Sequence, residues 1–417
     1  MAQFLRPQVG ELCDLLEASP KFMIAIFGPR QTGKTTIVRQ AMEQTDIPGR
    51  LLPIDSSEEL PRGPWPDVGN LPPLISPTGS KEWLVRQWRA ARAEAESTGR
   101  GFVLALDEIQ KLPDWPDTVK GLWDADRAHA CPLRVVLLGS APLRLQSGLK
   151  ESLMGRFLPL PVTHWTYEEM SQGFGFSLDE FLYFGGYPGP AHLRGNPRMW
   201  RGYIAESIVA PAMDRDLIAM TQVRKPALLR RLVAAAFSYS GQIVSYNKLL
   251  GQLQDAGNTT TLAHYLDLLS DVGLVAGLSK YSGSQFRSRA SSPKLNVLNT
   301  SLMTAGSTYA FDEARNDRTF WGRIVESAVG AHLVNTATHG IHVHYWRDGN
   351  AEVDYVLRGG PRVVGIEVKS GGKSRYARGA RQFRAKHAVN HCLVVGGGGV
   401  PLDEFLNQPA EHWLKAQ

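Results

Sequence analysis

Cysteine is scarce in this chain, and no long apolar run is present. The 417 residues include three cysteines, Cys13, Cys131 and Cys392, which lie far apart in the sequence. This spacing indicates neither a disulfide framework nor a zinc site, and it is typical of a reducing compartment. No basic-then-apolar segment opens the chain, and no apolar run approaches the roughly 18–20 residues that span a membrane. We therefore expect a cytoplasmic protein with no membrane partner.

The chain also lacks a strong net charge and any internal repeat at a fixed period. Its formal net charge is +6, with an apolar fraction of 43% and a charged fraction of 21%, the balance of an ordinary globular protein. Because this charge is mild, its location matters more than its total. A chain of 417 residues is too long for one ordinary core, so we expect about two to four domains.

The strongest motif is the stretch GPRQTGKTT, which fits the pattern G-x-x-x-x-G-K-[ST] at every fixed position. An apolar run precedes it and a helical pattern follows it, as a phosphate-binding loop requires. Such a loop turns successive backbone N–H groups toward phosphate oxygens, and the helix N-terminus adds its positive dipole end. The sequence therefore predicts an ATP site formed by Gly28, Pro29, Arg30, Gln31, Thr32, Gly33, Lys34, Thr35 and Thr36.

A buried strand at residues 101–106 ends in two acids, Asp107 and Glu108. In a P-loop protein Lys34 would reach the β- and γ-phosphates, and the Thr35 hydroxyl and Asp107 would hold Mg²⁺. Glu108 would polarise the attacking water. Acids also end strands simply to meet solvent, but the P-loop upstream favours the catalytic interpretation. The sequence therefore predicts Mg²⁺-dependent ATP hydrolysis.

Nearly the whole chain resembles bacterial and archaeal AAA-type ATPases whose N-terminal ATPase is fused to a C-terminal region of unassigned function. The resemblance is specific in its ATPase part and says less about activity in its C-terminal part. The stretches that carry it are Gly28–Thr36, Leu106–Gln110, Gly139–Ser140, Glu151–Arg156, Phe184–Pro188, Asp214–Asp216, Tyr265–Leu269, Ser292–Lys294 and Glu352–Asp354.

The resemblance implies two further catalytic residues. Ser140 ends the apolar strand 133–140, where AAA-type proteins place the polar sensor 1 residue that contacts the γ-phosphate or the lytic water. Arg156 precedes another strand, where such proteins present an arginine finger to a neighbour's nucleotide, and this implies a homo-oligomer. Arg156 could equally be a surface arginine or a partner for Glu151. Relatives tend to carry a longer serine or threonine run at residues 139–143.

We expect an α/β multidomain fold in four parts. These are a P-loop AAA-type ATPase core at residues 1–165, a helical lid at 166–222, a winged-helix domain at 223–310 and an α/β restriction-endonuclease-like domain at 311–417. The third part is predicted from three helical patterns followed by two strands flanking a basic loop with Lys280, Arg287 and Arg289. Its candidate recognition helix has no lysine or arginine, so protein docking is an equal alternative to DNA reading.

The C-terminal hundred residues place four charged side chains on one face of a hairpin. If Arg358 pairs with Val363, Asp354 falls opposite Glu367, and Glu352 falls opposite Lys369. Neighbouring carboxylates repel unless a cation lies between them, and the lysine can position or deprotonate a water.

This region resembles PD-(D/E)xK nucleases, with Asp354, Glu367 and Lys369 as the motif and Glu326 as the helix-borne acid. The resemblance implies that Glu326, Asp354 and Glu367 bind Mg²⁺ and that a metal-bound water attacks a phosphodiester. Two alternatives stay open. The residues could form an acid–base cluster on a solvated sheet face, or the fold could be kept for binding only.

A basic tract without acids follows the hairpin. Solvated basic faces are common, but the position beside the acids favours binding of a nucleic-acid backbone, DNA in the first place. The leading hypothesis is an ATPase that grips or cuts nucleic acid. The alternative is an ATP-gated regulatory switch that binds partners and cleaves nothing. The tract contains Lys373, Arg375, Arg378, Arg381 and Arg384, the last three spaced to share a helix face.

Overall fold

The computed structural model describes residues 4–54, 80–140, 152–218, 223–253, 258–282, 291–371 and 378–415. The chain divides into two compact units, Met1–Val162 and Thr163–Gln417. The fold is α/β and multidomain, with a parallel five-stranded sheet in the first unit and helices with two smaller sheets in the second. Within the described ranges no helix is both long and apolar enough to cross a bilayer.

The first unit is built on a five-stranded parallel sheet in the order β2-β3-β4-β1-β5. Its strands read as near-continuous apolar runs because helices cover both faces of such a sheet. All five had been predicted from these runs, with bounds that differ by at most a few residues. They are β1 Met23–Gly28, β2 Gly49–Pro53, β3 Phe102–Asp107, β4 Leu133–Ser140 and β5 Phe157–Pro161.

Two apolar layers flank this sheet. One layer contains the buried indoles of Trp88, Trp115 and Trp123. The other contains Val9, Leu12 and Leu16 of the first helix, so the predicted amphipathic helix does pack on the core. Because the strands are parallel, the loops that follow β1 and β3 leave the sheet at the same edge. The helices are Pro7–Glu17, Lys34–Gln44, Lys81–Thr98 and Trp115–Ala128, with a 3-10 turn at Ile109–Lys111.

The second unit begins with helices and a small antiparallel sheet in the order β6-β8-β7. The predicted caps Ser245 and Asn258 are confirmed, since each accepts a backbone N–H from the first turn of its helix. Arg287 and Arg289 of the predicted basic loop lie outside the described residues.

The bounds of these elements follow the chain. The helices are Tyr167–Phe174, Leu178–Phe184, Pro197–Gly202, Pro226–Ser238, Tyr246–Leu253 and Thr259–Asp271, with a 3-10 segment at Gly189–Leu193 and π-helical segments at Tyr203–Val209 and Ala212–Ile218. The strands are β6 Gln242–Ile243, β7 Val275–Leu278 and β8 Lys294–Val297.

The last part of the chain forms a four-stranded sheet in the order β12-β11-β10-β9, with β12 parallel to β11 and the other pairs antiparallel. The predicted pairing of Arg358 with Val363 is confirmed. Gly359 also pairs with Arg362, so the turn between the strands is shorter than the predicted four residues. The strands are β9 Ile341–Asp348, β10 Ala351–Gly359, β11 Arg362–Lys369 and β12 His391–Gly396; the helices are Ser301–Ala305, Phe311–Asn316, Arg318–Thr336, Arg378–Lys386, Leu402–Leu406 and Ala410–Lys415.

Candidate functional site

The loop between β1 and the Lys34–Gln44 helix has two positions that require glycine. A Cβ at Gly28 would lie 1.7 Å from the carbonyl oxygen of Val162, which leaves no room for any side chain. Gly33 has a φ of 93°, in the left-handed region, and directly precedes the helix. The fixed glycines of the motif therefore shape the backbone so that the helix N-terminus opens at Lys34.

Lys34 is buried within this loop. Its Nζ donates hydrogen bonds to the carbonyl oxygens of Gly28, at 3.0 Å, and Pro29, at 2.7 Å. The Thr32 hydroxyl donates to the same Pro29 carbonyl at 2.9 Å. The ammonium thus lies inside the loop, at the place where the motif requires a positive charge for phosphate oxygens.

Thr35 and Asp107 lie next to each other although 72 positions separate them in the sequence. The Thr35 hydroxyl donates to Asp107 Oδ2 at 2.7 Å. A hydroxyl and a carboxylate oxygen are hard ligands, of the kind that Mg²⁺ takes together with phosphate oxygens. These two residues therefore fit a Mg²⁺ ion, which would supply charge neutralisation for bound phosphates.

Glu108 follows β3 in a strained backbone conformation with a φ of 57°. Its Oε2 accepts a hydrogen bond from Gln110 Nε2 at 2.7 Å, and Lys111 Nζ lies 3.8 Å away. The side chain keeps 20% of its surface exposed. Burial raises the pKa of the Glu108 carboxyl, while Lys111, Arg30 and Lys34 oppose that rise. The carboxyl is therefore fixed in direction and poised above its ordinary pKa range.

Two residues near the P-loop escaped prediction as site residues. Arg6 is buried and donates from Nη1 to the carbonyl oxygen of Thr32 at 3.0 Å, which braces the loop from the first helix. Gln110 positions Glu108, as described above. Arg6 has no local sequence signal, whereas Gln110 stands two residues after the acid pair and could have been found there.

The structure places the two residues implied by the AAA-type resemblance differently. Ser140 ends β4 and pairs in register with Gly28, so its backbone lies beside the P-loop; its side chain is outside the part of the chain that the structure describes. Arg156 makes a bidentate ion pair with Asp124, at 2.8 Å from Nε and 3.0 Å from Nη2. Its alternative partner Glu151 lies outside the described residues.

In the second unit the predicted acids surround a lysine that had not been given a role. Lys294 of β8 is completely buried, with 0% of its surface exposed. Its Nζ lies 2.5 Å from Glu326 Oε1 and 4.0 Å from both Glu352 Oε1 and Asp354 Oδ1. It also donates to the Asp354 carbonyl oxygen at 3.1 Å. We call Glu326, Glu352, Asp354 and Glu367 the acid cluster.

The remaining oxygens of the acid cluster are only partly engaged. Asp354 Oδ2 accepts the Val368 N–H at 2.7 Å, and Lys369 Nζ donates to Glu367 Oε1 at 2.7 Å. Glu367 Oε2 is buried and has no hydrogen-bond partner among the described residues. Burial raises the pKa of the Glu367 carboxyl, and the neighbouring Asp354 raises it further. The predicted proximity of Asp354 and Glu367 is thus present.

The predicted Mg²⁺ shared by Glu326, Asp354 and Glu367 does not fit this arrangement. A Mg²⁺ ion requires several oxygens at about 2.0–2.1 Å, and the ammonium of Lys294 holds the position between Glu326 and Asp354. Within the described ranges, no group of three or more His, Cys, Asp or Glu side chains is placed to hold a metal ion. We therefore derive no cleavage step through a metal at this cluster.

The Arg378–Lys386 helix packs on the strand that carries two of the acids. Its inner face is tight, since a Cβ at Gly379 would lie 1.9 Å from the carbonyl oxygen of Glu352. Arg378, Arg381 and Arg384 are exposed on its outer face, and none of them forms an ion pair with another described residue. Lys373 and Arg375 of the basic tract lie outside the described residues.

Three regions of the chain match known family models. Residues 20–171 match a model described as an AAA domain. The first region is an AAA-type P-loop ATPase domain. Two domains of unknown function follow this ATPase domain, one at residues 175–309 (DUF8612) and one at residues 321–406 (DUF4143).

Similar proteins share this length and order. Proteins described as uncharacterized in Mycobacterium tuberculosis and Mycobacterium bovis are 27% identical over 404 residues, which covers 94% of this chain and 81% of each relative. A Walker-type ATPase of Pyrococcus abyssi is 16% identical with a TM-score of 0.46, covering 72% of this chain and 94% of its own. The RuvB Holliday junction branch migration motor of Thermotoga maritima is 16% identical with a TM-score of 0.31, covering 65% and 89%. TM-scores this low carry no argument about function.

Proposed function

We propose that the ATPase domain hydrolyses ATP with Mg²⁺. Lys34 contacts the β- and γ-phosphates, Thr35 and Asp107 hold the ion, and Glu108 orients and polarises the attacking water. The observation that carries this proposal is the 2.7 Å contact between Thr35 Oγ1 and Asp107 Oδ2, because it unites the two Mg²⁺ ligands of the motif. Ser140 would contact the γ-phosphate or the attacking water.

Nucleotide binding by the full-length protein tests the first step. Lys34→Ala should abolish or strongly weaken ATP binding, because the ammonium inside the loop is lost. Arg39→Ala is the matched control, since Arg39 is exposed on the same helix. Equal ATP affinity in the Lys34→Ala and Arg39→Ala proteins would refute the assignment of Lys34.

We further propose that the C-terminal region holds a nucleic-acid backbone on the outer face of the Arg378–Lys386 helix. Support comes from the exposed guanidinium groups of Arg378, Arg381 and Arg384, which lie together without ion-pair partners among the described residues. Such a face binds phosphates irrespective of base sequence, and its affinity falls as salt rises.

Binding of duplex DNA and RNA measured over a range of salt concentrations tests this face. Arg378→Gln/Arg381→Gln should weaken binding to all sequences and reduce the slope of log K against log salt by about 0.9 per lost phosphate contact. Arg198→Gln/Arg362→Gln removes the same charge from exposed positions elsewhere and serves as the control. Identical slopes for the two double variants would remove this face from nucleic-acid binding.

A second candidate is an ATP-gated switch whose C-terminal half binds partner proteins and cleaves nothing. The position of the Lys294 ammonium among the acids favours the absence of cleavage. Incubation of the full chain with plasmid, linear DNA and RNA, with and without ATP and Mg²⁺, separates the two candidates. DNA-stimulated ATP hydrolysis supports nucleic-acid handling, whereas unstimulated hydrolysis without DNA binding supports the switch.

A further inference from the structure

Lys294 is an unusual side chain because its charge is fully enclosed. It starts from β8 in the small antiparallel sheet, and its ammonium ends among carboxylates from the Arg318–Thr336 helix and from β10. Burying an ammonium is unfavourable unless other groups compensate for the lost water. The chain therefore supplies a cation to the acid cluster from a different element of the same compact unit.

The surroundings of Nζ resemble the ligand set of a bound cation. The nearest ligand is Glu326 Oε1 at 2.5 Å, the Asp354 carbonyl oxygen follows at 3.1 Å, and the Tyr355 ring centroid lies 4.6 Å away. Carboxylates of Glu352 and Asp354 complete the environment at 4.0 Å. These oxygens come from separate elements and converge on one positively charged atom.

A second observation indicates that the acid cluster can accept more positive charge. Glu367 Oε2 is buried without a hydrogen-bond partner among the described residues, although Lys369 engages the other oxygen of that carboxylate. The four carboxylates of the cluster face two lysine ammonium groups, Lys294 and Lys369, with Arg347 only at 4.0 Å from Glu352. The cluster is thus built for cations and is not saturated by them.

We propose that the ammonium of Lys294 is the resident cation of the acid cluster and excludes divalent metal from it. A divalent ion at the centre of the cluster and the ammonium would require the same oxygens at the same place, so only one of them can be present. Removal of the lysine charge, with its volume retained, converts the cluster into a divalent-cation site formed by Glu326, Asp354 and Glu367. This proposal is independent of ATP hydrolysis.

Mn²⁺ titration of the full-length protein, followed by electron paramagnetic resonance and calorimetry, tests the proposal. Four proteins suffice: wild type, Lys294→Met, Lys294→Met/Asp354→Asn and the control Lys248→Met, which removes an exposed lysine. Lys294→Met should gain one Mn²⁺ site that the double variant loses, and Lys248→Met should behave as wild type. A folded Lys294→Met protein that gains no Mn²⁺ site overturns the proposal.

A comparison of wild type with Asp354→Asn tests the same proposal without any Lys294 variant. If the ammonium excludes divalent ions, both proteins bind Mn²⁺ equally, because any ion they bind lies elsewhere, including the Thr35 and Asp107 site. A Mn²⁺ site present in wild type and absent in Asp354→Asn overturns the proposal. This arm remains decisive if Lys294→Met does not fold.

Discussion

Glu108→Gln separates the catalytic from the structural role of the second acid after β3. The amide cannot take a proton from the attacking water, so hydrolysis should fall by about 10²–10⁴-fold, the usual contribution of a general base. ATP binding should persist, because the contacts of Lys34 and Thr35 do not involve Glu108. The Gln110 amide can still donate to the Oε1 of glutamine, so the geometry of the turn should be retained.

The same substitution makes a stability prediction with a definite sign. Burial raises the pKa of Glu108, so the folded state disfavours the carboxylate more than the unfolded state does. Below the ordinary glutamate pKa the carboxyl is protonated in both states and carries no such penalty. Above the raised pKa the penalty is complete. The stability of Glu108→Gln relative to wild type should therefore increase as pH rises through this window.

Phosphate release, fluorescent-nucleotide binding and urea denaturation at several pH values measure these effects together. Lys111→Gln is a useful control, because it changes a side chain 3.8 Å from Glu108 without touching the proposed base. Turnover of Glu108→Gln equal to wild type would remove Glu108 from catalysis. A stability difference that is flat with pH would contradict the burial argument, whatever the turnover.

Three further predictions address packing, the acid cluster and assembly. Gly28→Ala should destabilise the protein by roughly 1–3 kcal/mol or more in urea denaturation, because its Cβ would overlap the Val162 carbonyl; unchanged stability would contradict that close approach. Glu326→Ala should cost roughly 3–5 kcal/mol, since it leaves the Lys294 ammonium buried without its nearest partner; a loss below about 1 kcal/mol would show that the pair is replaceable. If Arg156 acts on a neighbour's nucleotide, specific ATPase activity should rise with protein concentration and Arg156→Ala should abolish the rise; concentration-independent turnover assigns Arg156 to its ion pair with Asp124.

Elements with a local signature were predictable from the sequence. The five strands of the first sheet are apolar runs between turn residues, and the P-loop motif fixes the strand before it and the helix after it. The hairpin register followed from alternation and turn length, and the pairing of Arg358 with Val363 agrees. Local order along the chain therefore sufficed for the ATP site and for the acids of β10 and β11.

Features that depend on distant partners were not predictable in the same way. The strand β12 had not been predicted, and it joins the sheet by parallel pairing to β11, which no local turn announces. Lys294 lies 32 or more residues from each acid that surrounds it, so only the tertiary fold brings the charges together. Arg6 likewise reaches Thr32 across the first strand. Such pairings leave no periodic pattern for a sequence-based prediction to detect.

The enclosed ammonium bears on how this chain can be divided. Lys294 belongs to the stretch matched at residues 175–309, whereas Glu326, Glu352, Asp354 and Glu367 belong to the stretch matched at residues 321–406. A cut between these stretches leaves one fragment with an unneutralised lysine and the other with four carboxylates facing one remaining lysine, Lys369. The two stretches are therefore electrostatically complementary halves, and a shortened protein that begins at residue 311 would need acid pH or an added cation to fold.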